Sequence, residues 1–336
     1  MLDERVQSPI KCLKYDNLLT KPKFVKGKIS SETENVSKQA FRKHRSKRDA
    51  KQTGIRVLCL CVFVLIMSCS PNQTSSQLQL TFTPYYQNEA LSCDLTFHHG
   101  LAKWQLQTLG FFVSSFTINT DDVEGARAAV NLLPSNWQTQ DTALIWFTPN
   151  CDNNTLSTQA NHTLTMQFDS ANAKPIQTLS FELSVPFASN HKNPLTQPFP
   201  LNNPNMFWSW QAGHKFMRMD ATQVNGNANW AFHLGSVGCV SKSSLRAPMA
   251  ECSHPNRIKV RLDMSKQLRK AIEIAEQNKY GPIAIKFDID ALLDNIDIAG
   301  SKPCMFALDQ QQSCALLMQN LVTNPIFSVI DEGKKP

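Results

Sequence analysis

The sequence is short of the features that most catalytic folds need. Glycine is scarce, 12 in 336 residues, and none falls in a spacing that would cradle a phosphate. There is no H-E-x-x-H helix motif and no G-x-S-x-G nucleophile elbow. No C-x-x-C occurs, which argues against a zinc ribbon or a thioredoxin-like site. The longest apolar run, 57–67, is 11 residues, whereas a membrane-spanning helix needs about 20. Nothing here assembles an enzyme, and the chain reads as non-catalytic.

Charge is unevenly placed. Residues 1–56 carry 15 Lys and Arg against 6 Asp and Glu, while the remainder carries 19 against 21. The net charge of +7 therefore belongs to the N-terminal stretch, and the rest offers no basic patch for nucleic acid. Residues 1–55 are lysine-rich, lack hydrophobic periodicity and read as a disordered tail. The run that follows fits the hydrophobic core of a secretory signal, with Arg56 before it. Its end, Ile66-Met67-Ser68-Cys69, resembles a bacterial lipobox, so 56–69 is a lipoprotein-type signal with Cys69 as the lipidated residue. Ser70 follows it, not an aspartate, which fits an outer-membrane anchor. An n-region this long is explained by a start assigned too far upstream or by a cytoplasmic tail. A polar linker covers 70–77.

Ten cysteines are present, and six lie in the exported part: Cys93, Cys151, Cys239, Cys252, Cys304 and Cys314. An even number in an oxidising compartment implies three disulfides, with 15 connectivities open. Short separations favour 239–252 and 304–314, which leaves 93–151. From residue 78 to about 330 the chain forms one β-rich domain. Strand alternation is clear at 78–84 and 163–168, and aromatic, β-branched or apolar runs mark further strands at 109–120, 143–147, 179–186, 258–263 and 283–288. Helical spacing occupies 264–279, 290–298 is a short helix or turn, and 314–321 is a helix held by its cysteine. The fold class is mainly β, a β-sandwich-like domain with small helical additions near the C-terminus.

The most distinctive stretch is 206–220, MFWSWQAGHKFMRMD. Trp208 and Trp210 would share one strand face, Gly213 would turn the chain, and 215–220 would return as a second strand. Taken alone, two such indoles are a core anchor. Met206, Met217 and Met219 are soft donors in principle, but methionine more commonly fills a core. Eight histidines occur. His191 follows a strand, in a loop of Asn and Pro, and His233 sits on a strand among Trp230, Phe232 and Leu234. His98 and His99 are adjacent and would face opposite sides. His254, before Pro255, is a candidate for exposure at a loop end.

Four blocks in order carry a resemblance: VPFxxNH at 185–191, PLNxxxMFWSWQxGxKFxRxD at 200–220, FHLGSxGC at 232–239 and CxxPNR at 252–257. Together with Cys304-Met305 and Cys314, this set resembles the MbnP family of periplasmic copper-binding proteins, over about residues 78–327. His214 stands where the family usually has tyrosine, so the resemblance gives that residue no role.

The resemblance implies a mechanism. In the family the first tryptophan of W-x-W is oxidised to kynurenine by a MauG-like diheme cytochrome c peroxidase, and this completes a copper(I) site. Here Trp208 would be the oxidised residue and Trp210 the second of the motif. His191 and His233 are the expected histidine ligands. A different reading is an extracytoplasmic binding module whose Trp208 and Trp210 stack on a carbohydrate or peptide.

Overall fold

Apolar side chains at every second position need a common core, and here two layers of strands supply it. The computed structural model describes residues 75–120, 127–151, 160–169, 176–263, 270–271, 281–306 and 314–330. The basic tail, the signal-like run with Cys69 and most of the linker lie outside these residues. So does the helix expected over 264–279, apart from residues 270 and 271, which are helical.

In chain order the strands are β1 (Ser75–Tyr86), β2 (Glu89–Ala90), β3 (Thr96–His99), β4 (Ala102–Thr120), β5 (Arg127–Leu132), β6 (Thr142–Phe147) and β7 (Thr163–Asp169). Then come β8 (Ile176–Leu183), β9 (Phe207–Ser209), β10 (Gly213–Gln223), β11 (Asn229–Gly235), β12 (Ile258–Asp263), β13 (Gly281–Asp288) and β14 (Phe327–Val329). One layer runs β5-β7-β1-β13-β14, with β1 and β13 parallel. The other is built on the 19-residue β4, which pairs along one edge with β10 and then β8. β3, β6 and β5 occupy its opposite edge in turn. β11 lies outside β10, and β12 outside β8. Because β5 pairs with both β4 and β7, hydrogen bonding continues from one layer into the other.

The seven strands expected from the sequence all form. β4 starts earlier than expected, because Trp104 and Leu106 continue the buried alternation through a polar stretch. The layers meet on phenylalanines. Phe82 of β1, Phe287 of β13 and Phe327 of β14 face Phe111 of β4 and Phe181 of β8, with ring centroids 5.3–6.3 Å apart. Four of these pairs are edge-to-face and Phe111–Phe287 is stacked, contacts that add to the area each ring buries.

The helical pieces are small. α1 (Phe187–Asn190) follows β8, α2 (Ile289–Leu292) follows β13, and α3 (Ala315–Thr323) follows Cys314. Asp288 caps α2 by accepting from the Ala291 N–H. The Asn320 amide of α3 donates to the carbonyls of Leu292 and Asp294, which satisfies groups a helix end leaves orphaned. The disulfides are 93–151, 239–252 and 304–314, the pairing the short separations favour.

The shared phenylalanine cluster yields a first prediction. Phe181→Ala should lower unfolding free energy by about 3–5 kcal/mol, measured by denaturant titration.

Candidate metal centre

Each expected ligand is positioned by a different device. β8 leads through Ser184-Val185-Pro186 into α1, and α1 ends at Asn190, which is fully buried. The Asn190 Oδ1 accepts from the His214 backbone N–H at 2.7 Å. A backbone N–H can only donate, so the other amide atom must be Nδ2, and it lies 3.1 Å from His191 Nε2. His191 Nε2 is therefore an acceptor, and Nδ1–H donates to the Trp210 carbonyl at 3.2 Å. The tautomer follows from one backbone donor. Burial also pushes the His191 imidazole below its usual value, which keeps it neutral at neutral pH.

His214 lies deeper. Its Nδ1 meets the Asn190 carbonyl at 2.9 Å and its Nε2 the Leu201 carbonyl at 2.8 Å. Burial lowers its pKa, and those two carbonyls oppose the shift without cancelling it. This residue pins the hairpin to the loop before it. Gly213 turns that hairpin at φ +79°, and a Cβ there would meet Asn190 Oδ1 at 2.6 Å. The expected turn and return strand are present, but β9 ends at Ser209, so Trp210 stands past the strand and not beside Trp208 on it.

His233 is held by a carboxylate. It sits opposite Arg218 in the β10–β11 ladder, and its Nε2–H donates to Asp220 Oδ1 at 2.7 Å. Arg218 Nε donates to the second Asp220 oxygen at 2.5 Å. Burial pushes Asp220 up, but the His233 and Arg218 hydrogen bonds and charges outweigh it and hold the carboxyl below its usual value. In the neutral imidazole the remaining nitrogen, Nδ1, keeps its lone pair. That atom is buried and has no hydrogen-bond partner. A carboxylate fixing one nitrogen of an imidazole while the other stays free is the usual support of a metal-binding histidine.

Trp208 is half-buried and rests on Gly235, where a Cβ would lie 2.5 Å from its ring. Gly235 and His233 are two apart on β11, so they share a sheet face. Lys215 Nζ stands 5.9 Å from the centre of the indole, and burial lowers its amine to about 8. It donates to the Asn205 carbonyl, as Arg218 does. The structure thus brings Trp208 and His233 to one face and ties His191 to Trp210.

His191 has other close neighbours. Its ring nitrogen and the sulfurs of Cys239 and Cys252 lie within 4.8 Å of one another, a group that does not include His233. Those two cysteines are joined as a disulfide, so they offer no thiolate in this state. Met206, Met217 and Met219 are fully buried core residues, the commoner of their two roles. Asn190, Asp220 and Gly235 acquire no role from the sequence, although all three stand inside or beside the blocks that carry the resemblance. The signal for Asp220 was its position two residues beyond Arg218 on an alternating strand.

Two predictions follow from this geometry. Gly235→Ala should displace the Trp208 indole, seen as a shift in tryptophan emission with the fold retained by circular dichroism. His191 is held neutral by burial, with its pKa below the ordinary 6.5. Its contribution to stability is complete above that value and is lost as pH falls below it, so the thermal midpoint should drop between pH 7.5 and pH 5.

No curated protein sequence matches the chain. The solved structure of MbnP from Methylosinus trichosporium is similar, with a TM-score of 0.60 and 20% identity, covering 76% of this chain and 98% of that one. The MbnP family model matches residues 75–306, more than half of the chain, and the protein belongs to the MbnP family.

Proposed function

We propose that this protein binds copper(I) outside the cytoplasm and serves copper handling without catalysing a reaction. Family membership supports periplasmic copper handling, and three disulfides suit that compartment. The observation that carries the reading is the His233 ring. One nitrogen is fixed by Asp220, the other is buried and unpartnered, and the ring projects from the same sheet face on which Trp208 rests.

In this reading His233 and His191 supply the imidazole donors, and Trp208 is oxidised to kynurenine by a MauG-like diheme partner. Opening the indole loses one carbon and gains one oxygen, leaving an aromatic amine and a ketone as further donors. Soft copper(I) is well served by neutral imidazoles. His191 gives up its hydrogen bond from Asn190 to bind a metal through Nε2, which costs about 1 kcal/mol. Lys215 places positive charge beside the indole, and Arg218 is paired with Asp220. The lipobox-like Cys69 would tether the protein to the outer membrane. Sugar stacking would need an open indole face shared by both tryptophans. Trp208 is half-buried, with Gly235 against its ring edge and Lys215 over it, and Trp210 lies off the strand.

The test is peptide mass spectrometry across residues 193–215 on protein from its native periplasm, with copper measured on the same sample. Modified Trp208 with bound copper is expected. Unmodified Trp208 without copper, in cells that express the oxidase, would end this reading. Asp220→Asn should weaken copper binding about 10–100-fold while leaving Trp208 oxidation intact.

A further inference from the structure

We propose that His191, Cys239 and Cys252 form a second, redox-gated copper(I) site, which opens when the disulfide between the two cysteines is reduced. This site is independent of the oxidation of Trp208. The three donor atoms already lie within 4.8 Å of one another, and Cys252 Sγ is 3.8 Å from His191 Nε2. That nitrogen is the one carrying the lone pair, because Nδ1–H is committed to the Trp210 carbonyl. Two thiolates and one imidazole are a soft, three-donor set that suits copper(I), whereas structural zinc asks for four ligands.

The surroundings allow the change. Cys252 is buried and Cys239 is only partly so, which makes Cys239 the more accessible half of the bridge. The disulfide spans 13 residues of sequence, and the loop between its cysteines exposes Val240, Leu245 and Met249. Opening it releases little of the core. Cys304 and Cys314, by contrast, are fully buried. Copper(I) with two thiolates has a net charge of −1. Arg257 interacts electrostatically with His191, and its Nε–H is buried without a partner. Its outer nitrogen is paired with Glu251.

The chemistry balances with a dithiol reductant. The reductant's two thiols become a disulfide, the Cys239–Cys252 bond breaks, and both sulfurs end as thiols. When copper(I) binds, the two thiol protons pass to solvent. Since His191 is also a donor expected at the Trp208 centre, the state of this disulfide decides which centre it serves.

The experiment uses the full exported chain made without the oxidase, so Trp208 is unmodified and the outcome is separate from the kynurenine question. Oxidised and phosphine-reduced protein are titrated anaerobically with copper(I) against a chromophoric chelator, after circular dichroism has shown that both are folded. The reduced protein should take up one further equivalent, with sulfur scatterers at the copper edge. Cys239→Ser/Cys252→Ser should lose that equivalent, Cys93→Ser/Cys151→Ser should keep it, and His191→Ala should weaken it at least tenfold. Should a variant fail to fold, alkylation of the reduced wild-type protein decides. Copper(I) should then protect Cys239 and Cys252 but leave Cys93 and Cys151 reactive. No further equivalent on reduction, or equal protection of all the cysteines, would overturn the proposal.

Discussion

The buried amide of Asn190 is the constraint on which the candidate centre depends. Its oxygen holds the hairpin through the His214 N–H, its nitrogen sets the tautomer of His191, and its backbone carbonyl receives the His214 ring. One side chain thus links the exit of β8, the W-x-W hairpin and a candidate ligand. A buried amide with both ends satisfied is stiff, because leaving either end unpaired costs about 1–3 kcal/mol. Gly213 is required at the same point by its positive φ and by the nearness of that amide.

The two histidines are prepared in different ways. His233 is aimed by a carboxylate and keeps an unpartnered nitrogen, which is how a protein presents a ligand at little reorganisation cost. His191 is neutral through burial and engaged in hydrogen bonds at both nitrogens. It gives up a bond in order to bind. A ligand that must be released can also be redirected, and the disulfide beside it supplies the alternative donors.

The fold supplies the rigidity. β10 is packed between β4 and β11, so Arg218 and Asp220 sit on a strand held on both edges. The phenylalanine cluster fixes β4 and β8 against the opposite layer. The loop carrying Val240, Leu245 and Met249 is the soft part, and it is anchored at the Cys239–Cys252 bridge.

Much of this was legible in the residues alone. Alternation at 78–84 and 163–168 identified strands because one face of each must be buried, and the continuous apolar run at 143–147 marked a strand buried on both faces. Even cysteine numbers and short separations pointed to the pairing now seen, because near neighbours in sequence are easily brought together. The ordered blocks around Trp208 identified the family. The short strands β2, β3 and β14 were not legible, since two to four residues carry too little periodicity. Nor could spacing reveal that Trp208 rests on Gly235, that Asp220 orients His233, or that His191 faces a disulfide formed 48 residues later in the chain. Those contacts join strands distant in sequence, and only the register of β10 against β11 and the closure of the hairpin onto Asn190 decide them.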